Sequence, residues 1–248
     1  MSRSLVKVPA VTLGFWVVKI LATTLGETGG DAVSMSMKLG YLVGTAIFGV
    51  VFAAAVFAQI RAKEFHPALY WATIIATTTV GTTLADFATR SLGVGYAGGS
   101  ALLLGLLVAC LFAWHRSLGS VSIEAIDSPK AEAFYWATIM ASQTLGTALG
   151  DWTSDTMGFG YAGGALVFGA LLAAVWAAYR WTKLSRAGLF WAAFILTRPL
   201  GAVVGDLLDK PRDAGGMALS RFAASAVLLA LIAAGVAFLP QKPAQRSH

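Results

Sequence analysis

One spaced pattern recurs four times along this chain. An aromatic residue and a Trp are followed by a Gly ten residues after the Trp and by an Asp fifteen residues after it. The residues between them are mostly apolar, small or hydroxylated, so each copy could span a membrane as a helix. An ionisable group in such a segment is energetically costly and is a functional hypothesis by default. The four sets are Trp16, Gly26 and Asp31; Trp71, Gly81 and Asp86; Trp136, Gly146 and Asp151; and Trp191, Gly201 and Asp206.

The composition of the chain indicates a membrane protein. The mean hydropathy is +0.72 and only 12% of the residues are charged. Eight apolar stretches have about 20 residues each, the length that a spanning helix needs. They predict an all-α polytopic membrane protein with eight transmembrane helices in a single membrane domain, residues 1–248. The predicted spans are residues 11–31, 41–60, 68–88, 96–115, 133–153, 161–180, 188–208 and 217–239.

The positions of the basic residues predict the topology and account for the net charge of +6. Of the 18 Lys and Arg residues, eleven lie at the termini and in the loops after even-numbered spans, four lie in the opposite loops and three lie within spans. The positive-inside rule therefore predicts that both termini are cytoplasmic. The N-terminus is short and basic and has no small-residue cleavage site at a signal-peptide distance, so we expect the first span to remain. We expect the bacterial cytoplasmic (inner) membrane, with the lipid bilayer and no nucleic acid as partner.

The chain divides into four repeats of two spans each, with a period of 55 to 65 residues. Because each repeat contains two spans, all four should run in the same direction, as parallel repeats around an axis along the membrane normal. The first three repeats continue after their Asp with a Gly-rich segment that contains a Tyr, which the fourth lacks. A Ser- and Pro-containing stretch at about residues 117–132 is typical of a linker between two halves. The approximate repeat boundaries are residues 8–62, 63–117, 128–182 and 183–240.

In these features the chain resembles a bacterial membrane-protein family that is built from four tandem two-helix repeats, each with a characteristic Trp. The resemblance covers nearly the whole chain and rests on the Trp–Gly–Asp spacing. The repeat of that family is one of unknown function. The resemblance therefore implies an architecture and no activity.

Every odd-numbered span carries a polar stripe of residues four apart, which lie on one helix face. Polar faces of spanning helices point to the bundle interior or to a watery cavity, so the four odd helices are predicted to line a central site. Small residues four apart flank each stripe and indicate close helix contact. Each Trp lies near the predicted cytoplasmic end of its helix, as in an interfacial aromatic belt. The stripes are Lys19, Thr23, Glu27 and Asp31; Ile74, Thr78, Thr82 and Asp86; Ile139, Gln143, Thr147 and Asp151; and Phe194, Arg198, Ala202 and Asp206.

The charges on these spans favour a cation site. Six acidic residues, with Asp155 among them, exceed the three basic residues Lys19, Arg198 and Arg221. Some carboxylates must therefore hold protons or bind a cation, and oxygen ligands suit Mg²⁺, Ca²⁺ or Mn²⁺. Structural ion pairs with the three bases are the alternative. The predicted substrate- or metal-binding residues are Glu27, Asp31, Asp86, Asp151 and Asp206, with Thr23, Thr78 and Gln143 as further ligands and with Lys19 and Arg198 as charge-compensating or gating residues.

Two further features of the sequence carry structural expectations. Pro199 should kink or break the seventh span, because proline removes a backbone hydrogen bond in a helix interior. The acidic and basic residues that follow that span, at positions 209–213, are expected to form a solvated outer loop. The single Cys110 excludes a disulfide framework and a Cys-rich metal site.

The favoured function is a secondary transporter or exchanger of a small cation, preferably a divalent metal, coupled to protons through the intramembrane carboxylates. A pseudo-tetrameric cation channel with an Asp ring at its outer mouth is an alternative, although Lys19 and Arg198 would oppose an open cation pore. A non-transport membrane sensor or assembly protein is another alternative, and a homo-oligomer is left open. No enzyme activity and no resident cofactor are predicted, because neither a zinc-binding His motif nor a nucleophile–base set is present.

Overall fold

The computed structural model describes residues 6–126 and 128–244. This part of the chain forms eight α-helices and no strand, so the all-α prediction is confirmed. Five of the helices, α2, α4, α6, α7 and α8, are long and apolar enough to cross a membrane by length and composition. The helices are α1 (Leu13–Asp31), α2 (Gly40–Arg61), α3 (Pro67–Asp86), α4 (Gly95–Leu118), α5 (Pro129–Asp151), α6 (Gly160–Trp181), α7 (Arg186–Asp209) and α8 (Arg221–Phe238).

The ends of the helices follow from local sequence signals. Ser128 and Ser185 accept backbone hydrogen bonds as N-caps of α5 and α7. After their Asp, α1, α3 and α5 each continue into a five-residue π-helical turn (Ala32–Ser36, Phe87–Ser91 and Trp152–Thr156), whereas α7 has no such turn. The fourth repeat thus differs from the others in structure directly after its Asp, in the same region where its sequence lacks the Tyr of the other repeats.

The odd-numbered helices form a closed inner ring. Helix α1 packs against α3, α3 against α5, α5 against α7, and α7 against α1. Each even-numbered helix lies outside and packs on the first helix of the next repeat: α2 on α3, α4 on α5, α6 on α7, and α8 on α1. The four repeats therefore interlock in a cycle, and the polar stripes of the odd helices turn toward its centre.

Neighbouring inner helices touch where the repeated glycine lies. A side chain at this glycine would meet the residue that lies seven positions after the Trp of the next repeat, and the fourth repeat meets the first in the same way. Because glycine has no side chain, the two backbones approach closely at this level. The four contacts join Gly26 to Thr78, Gly81 to Gln143, Gly146 to Arg198, and Gly201 to Thr23.

The helix α7 passes through Pro199 without ending. The proline ring faces the space over Gly146 on α5, where a Cβ would be 3.0 Å from Pro199 Cδ. Of the two outcomes predicted at this proline, a kink or a break, the break is therefore wrong. The carbonyl of Thr197, beside the proline, accepts a hydrogen bond of 3.2 Å from Thr23 Oγ1 on α1.

The N-terminal ends of the inner helices meet in an aromatic cluster. Tyr70 and Tyr135 are fully buried and their hydroxyl oxygens are 2.6 Å apart. Trp71, Trp136 and Trp191 are also buried and pack against these and other rings. The interpretation of the Trp residues as an interfacial belt is therefore wrong for these three, because they fill the bundle instead of facing its surroundings.

The two ends of the described chain and the linker close the molecule beyond this cluster. The amide of Ala10 donates to the carbonyl of Lys242 at 2.8 Å, and the amide of Ala244 donates to the carbonyl of Val8 at 2.8 Å. In the linker, Ile126 is fully buried in the same core. One end of the inner ring is thus sealed by apolar packing, while the Asp residues lie at the other end.

Candidate functional site

The inner ring encloses four levels of side chains, which are defined by their distance along the chain from the repeated Trp. All sixteen residues on these levels are at most 2% exposed. The levels are buried to the same extent but differ in chemistry. The level nearest the aromatic cluster is mostly apolar, and the level at the far end consists of four Asp residues. They are Lys19, Ile74, Ile139 and Phe194; Thr23, Thr78, Gln143 and Arg198; Glu27, Thr82, Thr147 and Ala202; and Asp31, Asp86, Asp151 and Asp206.

Arg198 joins its own helix to the three other inner helices. Its Nη2 donates to Glu27 Oε2 on α1 at 3.0 Å, to Thr82 Oγ1 on α3 at 2.6 Å and to Thr147 Oγ1 on α5. The Glu27 carboxylate also accepts a hydrogen bond of 3.3 Å from Thr82 Oγ1. This buried ion pair holds the centre of the ring together, and breaking it would leave a buried charge without compensation.

Two cations divide the acidic level into two pairs of carboxylates. Lys210 Nζ lies 2.6 Å from Asp31 Oδ2 and 3.0 Å from Asp206 Oδ1. On the opposite side Arg90 lies 2.9 Å from Asp86 Oδ1 and 3.2 Å from Asp151 Oδ2. The first pair comes from the first and fourth repeats, and the second pair comes from the second and third.

Both bridging cations stay charged. Burial lowers the pKa of Lys210, but the carboxylates of Asp206 and Asp31 outweigh this effect and raise the pKa overall. The pKa of Arg90 is also raised, because Asp86 and Asp151 outweigh the effect of burial. The acidic level is therefore occupied by two tethered cations that compete with any free cation for the same oxygens.

Sequence reasoning missed these two cations and assigned both to outer loops. A signal was present, because Lys210 and Arg90 each follow the Asp of their own repeat by four residues, the spacing of a helical ion pair. Asp209, which was expected in a solvated loop, is 7% exposed and pairs with Arg221 Nε at 3.0 Å. The reason is that α7 extends to Asp209 and keeps this side chain against the bundle.

Three of the predicted ligands come together as a potential cation site, which we call the carboxylate cluster: Glu27, Asp31 and Asp206. One oxygen of each lies within 4.8 Å of the others. In addition, Asp31 Oδ1 is buried and has no hydrogen-bond partner among the described residues. Within the described ranges, Asp86 and Asp151 are not part of such a group. One level deeper, their repeats carry Thr82 and Thr147 where the first repeat carries Glu27.

The remaining predicted residues face the interior in different ways. The hydroxyls of Thr23 and Thr78 donate to carbonyls of a neighbouring inner helix, those of Thr197 and Ala22, at 3.2 Å each. Lys19 Nζ lies over the ring of Phe194, 4.2 Å from its centre. The structure thus gives the two Thr residues a helix-joining role.

Comparison with known families identifies the repeat. The family model described as Repeat of Unknown Function (DUF347) matches residues 14–65, 69–120, 134–185 and 189–240, which confirms the four-repeat resemblance. Neither a curated protein nor a solved structure matches the chain.

Proposed function

We propose that this chain, which belongs to the family defined by the Repeat of Unknown Function (DUF347), is a membrane transporter that exchanges a small divalent cation for protons. Its cation site is the carboxylate cluster, with Mg²⁺, Ca²⁺ or Mn²⁺ as the class of substrate. The observation that carries the proposal is the approach of Glu27, Asp31 and Asp206 oxygens to within 4.8 Å of one another inside a buried ring.

The proposed setting is the bacterial inner membrane, with all eight helices as spans and both termini in the cytoplasm. Five helices have suitable length and composition, and the outer helices present large exposed apolar side chains such as Val50, Leu166 and Phe238. The cyclic contacts between equivalent positions of the inner helices support repeats that run in one direction. The aromatic cluster would then face the cytoplasm and the acidic level the outer side.

Cysteine accessibility tests this topology. Cysteines at the exposed positions of Met37 and Leu92, in a chain with Cys110 replaced by Ala, are expected to react with a membrane-impermeant maleimide added outside intact cells. Cysteines at the exposed Lys63 and Lys183 should react only after the membrane is opened, because the positive-inside rule places those loops in the cytoplasm. The reverse labelling pattern would refute the orientation.

The charges around the cluster suggest how a cation could be exchanged for a proton. Three carboxylates face two cations, Arg198 and Lys210, so the fully ionised cluster has a net charge of −1. Arg221 also reaches the cluster, with its Nη2 3.7 Å from Asp31 Oδ2, but its charge is cancelled by Asp209, with which it pairs at 3.0 Å. Since buried net charge is costly, one carboxylate holds a proton in this state. A divalent cation that displaces the Lys210 ammonium and this proton leaves the site neutral again.

The geometry favours this exchange over an open channel. Arg198 crosses the centre of the ring and bonds to the three other inner helices. The apolar packing of the aromatic cluster closes the end beyond it. A pore that conducts cations continuously would have to pass both a fixed positive charge and this packing, whereas alternating access opens one end at a time.

Proton release on cation binding tests the proposal. Addition of Mn²⁺, Mg²⁺ or Ca²⁺ to the purified protein in weak buffer is expected to release about one proton for each bound cation, because neutrality of the cluster requires it. Replacement Asp31→Asn should remove this release, and Asp213→Asn, an exposed acid at the same end, should not. Absence of proton release with all three cations would overturn the proposal.

A further inference from the structure

A second group of polar atoms lies inside the ring, between the carboxylate cluster and the aromatic cluster. Five side-chain atoms there are buried and have no hydrogen-bond partner within the described chain: Lys19 Nζ, Gln143 Nε2 and Oε1, and Arg198 Nε and Nη1. All three residues are 0% exposed. They come from three inner helices, α1, α5 and α7, and lie on the two adjacent levels nearest the aromatic cluster. We call them the donor group.

The donor group carries an uncompensated positive charge. Arg198 is paired with one carboxylate, that of Glu27, and Lys19 has no ion-pair partner in residues 6–126 and 128–244. Because the pair of Arg198 and Glu27 is neutral, the charge of Lys19 has no counter-charge on these levels. The contact of Lys19 with the Phe194 ring offsets only part of the cost of burying an ammonium group. Some further negative charge is therefore needed for the group to stay ionised.

The chemistry of the unpartnered atoms also indicates a negative ligand. Four of the five atoms are nitrogen donors, and only Gln143 Oε1 accepts. The guanidinium of Arg198 cannot relieve the charge by losing its proton. The nearby hydroxyls of Thr23 and Thr78 are engaged with backbone carbonyls and do not satisfy these donors. Each buried donor that is left unpaired destabilises the fold, so a shared acceptor would stabilise all of them together.

We propose that Lys19, Gln143 and Arg198 bind one small monovalent anion of about the size of chloride at the centre of the ring. The anion accepts hydrogen bonds from the donor group and neutralises the charge of Lys19. This site differs from the carboxylate cluster in ligand type and level and touches it through the ion pair of Arg198 and Glu27, but it does not depend on cation exchange.

Anion binding to the purified protein tests this proposal. In gluconate buffer, titration with chloride or bromide is expected to give saturable binding at one site per chain by calorimetry, and bromide should give one anomalous peak between the three side chains. Lys19→Met should weaken binding by about tenfold to a hundredfold, because a charge-assisted hydrogen bond contributes about 1.5–3 kcal/mol. The exposed Lys183→Met, the matched control, should bind normally.

Further variants keep the test decisive. Gln143→Leu replaces an uncharged hydrogen-bond donor with an apolar side chain of similar size, and it should also weaken anion binding. The proposal can therefore be tested even if Lys19→Met fails to fold. Asp31→Asn should retain anion binding, which separates this site from the proposed cation site. Absence of saturable halide binding, or equal affinity in Lys19→Met and the wild type, would overturn the proposal and would indicate that Lys19 is neutral or hydrated by water.

Discussion

Replacement of Glu27 by Gln is expected to abolish proton-coupled cation flux while the protein still folds. Glu27 is the one member of the carboxylate cluster that lies a full turn deeper than the Asp residues, and it is 2% exposed. The substitution keeps the shape but removes a charged ligand. Truncation of one charged partner in a buried binding site costs about 2–5 kcal/mol of binding free energy, which corresponds to about thirtyfold weaker cation binding or more.

Flux into proteoliposomes, with a pH gradient and a panel of divalent cations, measures this effect. Glu64→Gln is the matched control, because Glu64 is exposed in the loop between α2 and α3 and the chemical change is identical. The control should transport as the wild type does. Normal transport by Glu27→Gln would show that Glu27 is a structural partner of Arg198 and has no role in cation binding.

Replacement of Arg198 by Met is expected to give the largest loss of stability among single substitutions in the ring. The side chain is fully buried, and its Nη2 bonds to one residue on each of the three other inner helices. Without it, the Glu27 carboxylate remains buried without its cation. We expect the free energy of unfolding to fall by about 3–5 kcal/mol.

A double variant separates the ion pair from packing. Glu27→Gln combined with Arg198→Met removes both charges, so it should be more stable than Arg198→Met alone, as measured by denaturant unfolding in detergent. The exposed Arg116→Met should change stability by less than about 0.5 kcal/mol. If the double variant were as unstable as Arg198→Met, the loss would come from the missing volume and hydrogen bonds to Thr82 and Thr147.

Much of this architecture could be predicted from the sequence, because it follows from helical periodicity. Residues four apart lie on one helix face, so the polar stripes and the small residues beside them could be placed without coordinates. The repeated spacing from Trp to Asp then predicted four equivalent helices, and the family match and the eight helices agree with it. In the contact between α5 and α7, for example, Gly146 from a predicted stripe of small residues packs against Arg198 from a predicted polar stripe.

The pairing of charges could not be predicted as fully, because it depends on which helices are neighbours. The link between Lys210 and Asp31 joins residues 179 positions apart, and it forms only because α7 closes the ring against α1. The same closure separates Asp31 and Asp206 from Asp86 and Asp151, which the repeat alone makes equivalent. The sequence showed only the i,i+4 pairs of Asp86 with Arg90 and of Asp206 with Lys210.

The closure of the ring also means that the repeats have a cyclic order without a structural beginning. Helix α8 covers α1 as α2 covers α3, and residues 8–10 lie beside residues 242–244. A circular permutation that joined these two segments and opened the loop between α2 and α3 would keep every helix neighbour in place. The fourth and first repeats are thus neighbours in space, although they are the most distant repeats along the chain. Residues that are particular to one repeat, such as Glu27 in the first and Lys210 in the fourth, therefore come together at this contact.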